Sequence, residues 1–402
     1  MSWSWLAPLL VFGLVVFVHE LGHFIAAKLT GVYAPVFSLG WGSRAWGIKL
    51  GETDYRLSWL PIGGYVRMAS RDDETMSKIE GGGEAPLPHG DAGVQAMAAS
   101  GHARGFNPVP FDPQGIAPFG PRMVPEHRWF ESKPLASRLF IMVAGVTMNA
   151  ILTLAVSVAL FAFYGRPYVS AVLSEVLPGK PAAMAGLLPG DSIAAVNGAP
   201  IRDFGDFIDR VGNSSGAALT IDVRRAGGPI EIVVTPERTN TSDPLTGEAI
   251  VAWRIGAAPV AATHREPVTF GAAIVNGWDY SVTLGSTVVK IVRGLATGRV
   301  SMKQLGGPLM IAKVSVQAAR SGFESLLALI ALLSINIAIL NLLPIPLLDG
   351  GQIIMNIAET VKGSAFSLRT RERVMQVGLV AVLLIFCVVM WNDVLRMLGI
   401  SG

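Results

Sequence analysis

Cysteine is almost missing from this chain. Cys387 is the single thiol among 402 residues, so no internal disulfide can form and nothing staples the parts together. It sits in an apolar run and reads as packing. Charge is scarce as well: Asp, Glu, Lys and Arg make up 15% of the residues, against about a quarter in an ordinary soluble domain. The net charge is only +3 and its bases are scattered. No basic stripe of the kind that tracks phosphates is present, so nucleic acid is not an expected partner. Three runs, 139–163, 325–348 and 374–392, contain no charged residue at all. Each exceeds or approaches the ~20 apolar residues needed to cross a bilayer.

A fourth apolar run, 5–27, is interrupted by His19, Glu20 and His23. It has no basic leader and no small-residue cleavage site, so an anchored span is predicted rather than a cleaved signal. The expected fold class is therefore an α-helical polytopic membrane protein with four transmembrane helices. Lys28, Arg122, Arg128, Lys133 and Arg138 lie between spans one and two, and Lys362, Arg369, Arg371 and Arg373 between three and four. Four spans put both loops on one face, which the positive-inside rule makes cytoplasmic. The segment between spans two and three is then expected outside, in the periplasm if the membrane is a bacterial inner membrane.

The interruption carries the chemistry. His-Glu-x-x-His on a helix places two imidazoles at i and i+4 on one face, where both can ligate one zinc ion. The glutamate between them is placed to act as the general base. Ionisable groups at membrane depth cost at least ~2.5–3.5 kcal/mol each, so their presence needs a function. A catalytic zinc takes a third protein ligand and keeps one position open. His89, His102, His127 and His264 fall in polar or glycine-rich segments and are poor candidates. Asp349, in NLLPIPLLDGG at the end of span three, is the strongest one. Spans one and three run in the same direction and place the three groups at similar depth. Pro344 and Pro346 are expected to break the helix before it. Gly350 and Gly351 are expected to give the backbone freedom for an oxygen ligand to turn.

HELGH in the first span together with NLLPIPLLDGG in a later one resembles the site-2 protease family of intramembrane zinc metalloproteases. The likeness is greatest to the bacterial branch that cleaves anti-sigma factors. The resemblance implies His19, His23 and Asp349 as zinc ligands, Zn2+ as cofactor and Glu20 as general base. It further implies that Asn336 and Asn341, in SINIAILNLLP, hydrogen-bond an unwound substrate backbone. WLPIGGYVRM is similar to the family's membrane-associated β-hairpin, which makes Gly63 and Gly64 part of a substrate-binding edge. Edge pairing offsets the hydrogen bonds lost when a substrate helix unwinds. The family's Gly-Pro-x-x-Asn segment in span two reads here as Gly145, Val146 and Asn149, with the proline replaced.

The remaining organisation follows in chain order. Residues 1–30 hold the first span, 31–71 the β-hairpin region and 72–130 a Gly/Pro-rich cytoplasmic loop of low-complexity composition. The second span, 139–163, leads into a soluble module at 168–256 that alternates short β-like runs with one amphipathic helix. Its GLLPGDSIAAVNG resembles the PDZ signature, implying one periplasmic α/β PDZ domain. Such a domain either binds a peptide by strand addition, filters substrates by size, or is a spacer. Residues 268–320 read as amphipathic membrane-surface chain, followed by the third span with LDG at 325–351 and the fourth at 374–396. The resulting expectation is regulated intramembrane proteolysis of pre-trimmed single-span proteins within the bilayer. A membrane-anchored PDZ scaffold with a non-catalytic metal site is the alternative.

Overall fold

The computed structural model describes residues 4–70, 112, 114–120, 122–242, 249–260, 263–302 and 305–398. Most of the Gly/Pro-rich stretch expected at 72–130 lies outside the described residues. In chain order the elements begin with α1 (Ala7–Leu29), β1 (Val36–Leu50), β2 (Thr53–Arg67) and α2 (Leu135–Tyr164). Then come β3 (Arg166–Val169), β4 (Leu173–Val176), α3 (Pro181–Met184), β5 (Ser192–Val196), β6 (Ala199–Pro200) and α4 (Phe204–Asn213). β7 (Leu219–Arg225), β8 (Gly228–Val234), β9 (Glu237–Ser242), β10 (Ala249–Arg254), β11 (Ala257–Pro259) and β12 (Thr263–Glu266) follow. Five helices close the chain: α5 (Phe270–Ala296), α6 (Pro308–Ser321), α7 (Phe323–Asn341), α8 (Asp349–Lys362) and α9 (Leu368–Met397).

Four helices among the described residues are long and apolar enough to cross a membrane: Ser4–Leu29, Leu135–Tyr164, Phe323–Asn341 and Arg369–Met397. A helix satisfies its backbone groups within one segment, as hydrocarbon requires, so these runs fold this way. The chain is a polytopic membrane protein. It divides into two compact units, one of them holding residues 1–157, 280–288 and 302–402, the other 158–279 and 289–301.

In the first unit, α1 packs on α6 and α7 through Val11, Val15, Ala318, Leu326 and Leu333. α2 lies tight against α1 at Gly22, where a Cβ would collide with the Ala144 carbonyl. β1 and β2 fold back on each other more than once. Residues 36–39 have partners on both sides, 54–57 and 64–67, while 46–50 pair with 53–57. The segment 64–67 is thereby left at an edge of the sheet. One reversal falls between 57 and 64, where Pro61 and Gly63–Gly64 suggest a turn in the sequence, and another at Gly51 and Glu52, where Gly51 takes φ +60°. Glu52 ties that turn to the end of α1: Lys28 Nζ donates to it at 2.8 Å, and Arg128 at 2.7 and 2.8 Å. Arg128 hydrogen-bonding, helped by Lys28, lowers the Glu52 pKa to about 2.

The second unit is built around a four-stranded sheet in the order β6-β5-β7-β8. Two-stranded pairs β4/β11, β3/β12 and β9/β10 accompany it. α4 buries Phe204, Phe207 and Val211, the i, i+3, i+7 stripe of a helix with one apolar face. Asp203 caps it by accepting from the Asp206 amide at 2.9 Å. Leu173, Leu187, Ile221, Val223 and Val234 complete an all-apolar core.

Candidate active site

The first histidine pair sits where α1 faces α2. His19 and His23 are 5% and 7% exposed, and their rings meet edge to face with Nε2 atoms 3.2 Å apart. Glycine makes the room: a Cβ at Gly145 of α2 would run into His23 Nε2 and lie 2.9 Å from the His19 ring. The His23 Nδ1–H donates to the Ile141 carbonyl at 2.8 Å. A carbonyl can only accept, so the proton is on Nδ1 and the Nε2 lone pair is free to face inward.

Asp349 arrives from the other side of the sequence. α7 stops at Asn341, a proline-containing turn follows, and Asp349 is the first residue of α8. There its carboxylate complements the positive end of the helix. Gly350 and Gly351 are needed for a different reason than backbone freedom, because both are helical in α8. A Cβ on Gly350 would strike the Leu342 carbonyl, and one on Gly351 the Ile345 carbonyl. Bare backbone lets the new helix start hard against the turn that precedes it.

The three side chains converge. Asp349 Oδ2 is 3.1 Å from His19 Nε2, and Oδ1 is 3.4 Å from His23 Nε2. A tetrahedral cation with bonds of about 2.0–2.1 Å holds its ligand atoms roughly 3.3 Å apart, so this donor set fits one zinc ion. Beyond that contact with the His19 ring, Asp349 Oδ2 is buried without a further hydrogen-bond partner, as expected of an oxygen reserved for a metal. Among the described residues this is the one group of three or more such side chains close enough to share an ion.

Glu20 lines the same cavity, of about 410 Å³, together with Asn341, Gly64 and Trp41. The Val66 N–H donates to its carboxylate, and a Cβ on Gly64 would come within 3.5 Å of its Cγ. The sheet edge at 64–67 therefore runs directly beside Glu20. Gly63, at φ +78°, precedes that edge and does not line the cavity. Asn341 Nδ2 lies 3.0 Å from His19 Nε2. Asn336 is half-buried on α7 and is not among the lining residues.

The far end of the cavity is ionic. Glu359 of α8 accepts from Arg371 of α9 at 2.7–2.9 Å and from the Phe366 amide at 2.9 Å. Glu131 accepts from Ser70 at 2.5 Å, and Arg138 donates to Asn356 at 2.8 Å. Sequence reasoning does not single out Glu131 or Glu359, and it reads Arg138 and Arg371 only as orientation signals. Glu131 lies in a polar loop and Glu359 on an amphipathic helix, and neither belongs to a repeating pattern.

Two histidines and a glutamate on a spanning helix and an aspartate at the start of α8 meet in one cavity, the donor set of a metallohydrolase-type site. The description of peptidase family M50 matches residues 7–385, and the chain belongs to that family. It is 31% identical to zinc metalloprotease RasP of Bacillus licheniformis, over 98% of this chain and 99% of that protein. Zinc metalloprotease RasP of Geobacillus kaustophilus is 30% identical over 96% of each chain. Regulator of sigma-W protease RasP of Bacillus subtilis is 29% identical over 98% of each.

Proposed function

We propose that this protein is an intramembrane zinc metalloendopeptidase that cuts single-span membrane proteins of the anti-sigma-factor class. The observation that supports it most is the convergence of His19, His23 and Asp349 to within 3.1–3.4 Å with Glu20 in the same cavity, inside apolar helices. In this reading His19 and His23 through Nε2 and Asp349 through its carboxylate hold the ion. When bound, zinc supplies a Lewis acid that polarises the scissile carbonyl and lowers the pKa of the attacking water. Glu20 takes the proton from that water and returns it to the leaving amine. The Val66 amide keeps the Glu20 carboxylate in place before substrate arrives.

The substrate helix must unwind for its backbone to be attacked, and in hydrocarbon each freed N–H and C=O needs a partner. The edge at 64–67, with Gly63 setting its entry and Gly64 leaving room, offers those partners by strand addition. Asn341 beside the ion site and Asn336 one face away on α7 supply further hydrogen bonds to the unwound segment. The bases of the loops after spans one and three favour a cytoplasmic placement of that end in a bacterial inner membrane. The 168–256 module then lies in the periplasm as a PDZ domain, and substrates reach the enzyme after another protease has trimmed their outer part. Cleavage releases the substrate's cytoplasmic piece.

Asp349→Ala tests the ligand set. Two imidazoles alone make a weak site, so the purified variant is expected to lose stoichiometric zinc as well as cleavage of a single-span substrate. Full zinc content in that variant would remove Asp349 from the ion's ligands.

A further inference from the structure

His23 has a carbonyl partner on the ring nitrogen that faces away from the site. His19 needs one too. If its Nε2 binds the ion, its Nδ1 carries the proton, and a buried N–H without an acceptor is costly. The residue facing that nitrogen is Asn149 of α2, one turn beyond Gly145. Asn149 is fully buried, at 0% exposure, and its side-chain amide stands 3.4 Å from His19 Nδ1 through Nδ2. Its Oδ1 is buried with no hydrogen-bond partner. Two donors thus face each other while an acceptor on the same amide goes unused. Half a turn about the terminal torsion exchanges the two ends and brings the oxygen to the ring nitrogen.

The backbone at this point is already held. Thr153 Oγ1 donates to the Asn149 carbonyl at 2.9 Å, and Ser334 Oγ of α7 donates to it at 2.8 Å. These bonds fix the turn of α2 carrying the amide against the helix that leads to Asp349.

We infer that Asn149 is the positioning residue for His19: in the metal-loaded protein its Oδ1 accepts the His19 Nδ1–H, fixing the ring's tautomer and its aim. The inference rests on His19 being an ion ligand, as in the proposed function. Outer-shell acceptors of this kind set ring orientation and ligand basicity, and losing one typically costs about 10–100-fold in metal affinity. The role asks for an acceptor oxygen and not for the amide as such.

The test uses the full-length protein in detergent, with zinc affinity read by chelator competition and the site's geometry by the absorption of a cobalt-substituted sample. Asn149→Leu keeps the volume and removes the acceptor; zinc affinity is expected to fall about 10–100-fold. Asn149→Asp keeps an oxygen at that place and is expected to stay within about threefold of the parent protein. Wild-type affinity in the leucine variant, or an equal fall in both, would overturn the assignment. If a variant fails to fold, proton NMR of the zinc-loaded parent labelled with 15N-histidine decides. Two solvent-protected Nδ1 protons are expected, one on His23 and one on His19, and a single one would overturn the inference. Asp349→Ala separates this from failure of the ligand set, because that variant loses zinc whatever Asn149 does.

Discussion

The two units solve burial in opposite ways. The unit built on the four-stranded sheet keeps its interior apolar, with Phe207 2% and Ile221 0% exposed, and sends its charges outward. Its buried carboxylate, Asp191, is paired with Arg225 at 2.7 Å. The helical unit has apolar packing too, but it also buries polar groups and exposes leucine. His19, His23, Asn149, Thr153, Ser157 and Ser334 are buried, while Leu384 and Val377 on α9 are 62% and 68% exposed. Water drives the first arrangement, and lipid permits the second, because hydrocarbon is as good a neighbour for leucine as another helix is. Some of these polar groups, Thr153 and Ser334, hydrogen-bond helix backbone, while His19 and His23 line the cavity.

That contrast can be broken by mutation. The largest effect is expected at Glu20, where glutamine keeps the volume and removes the proton acceptor. Cleavage should fall by about 10²–10⁴-fold while zinc content stays at one ion per chain. Near-normal turnover would show that this half-buried glutamate serves packing. Phe207→Ala, in the sheet unit's core, should cost about 3–5 kcal/mol. Native-state hydrogen exchange of the β7 amides reads this, and unchanged protection there would contradict an apolar core of the ordinary kind.

A smaller effect is expected at Glu52. Its folded pKa of about 2 lies below the ~4.3 of an unfolded glutamate. The stabilisation is therefore fully present above about pH 4.3 and is lost as the pH falls from there toward 2. Glu52→Gln should flatten this part of the acid-unfolding curve. An unaltered curve would mean that the ties to Lys28 and Arg128 do not hold the sheet's turn. The smallest effect is expected from Leu384→Ala on α9. Truncating a lipid-facing leucine leaves no cavity, and the melting of the detergent-solubilised protein should change by less than about 0.5 kcal/mol. A core-sized loss would place that face against protein.

The same contrast separates what is legible in the amino-acid sequence from what is not. His19 and His23 are legible because helical periodicity is local and because ionisable groups inside an apolar run stand out. Asp349 is legible through span direction, since parallel helices bring distant residues to one depth. The two glycines after it are legible as necessary but not for the right reason: a close approach of α8 to the turn at 342–346 is a tertiary fact. So is the sheet reversal at Gly51, whereas the one between 57 and 64 is legible from Pro61 and Gly63–Gly64. Asn149 can be matched to a pattern, yet its orphaned oxygen and the ring nitrogen facing it exist only once α2 lies against α1. The ionic end of the cavity is illegible because Glu131, Glu359 and Arg371 come from three separate segments.

The central claim is that these buried polar groups form a working zinc peptidase within apolar helices. Its most direct test is cleavage of a purified single-span substrate by the purified protein, before and after removal of metal by a chelator and again after zinc is restored. Cleavage within the substrate's spanning segment that stops on chelation and returns with zinc is the expected result. Cleavage that continues at full rate in chelator, with zinc shown to be gone, would contradict the account.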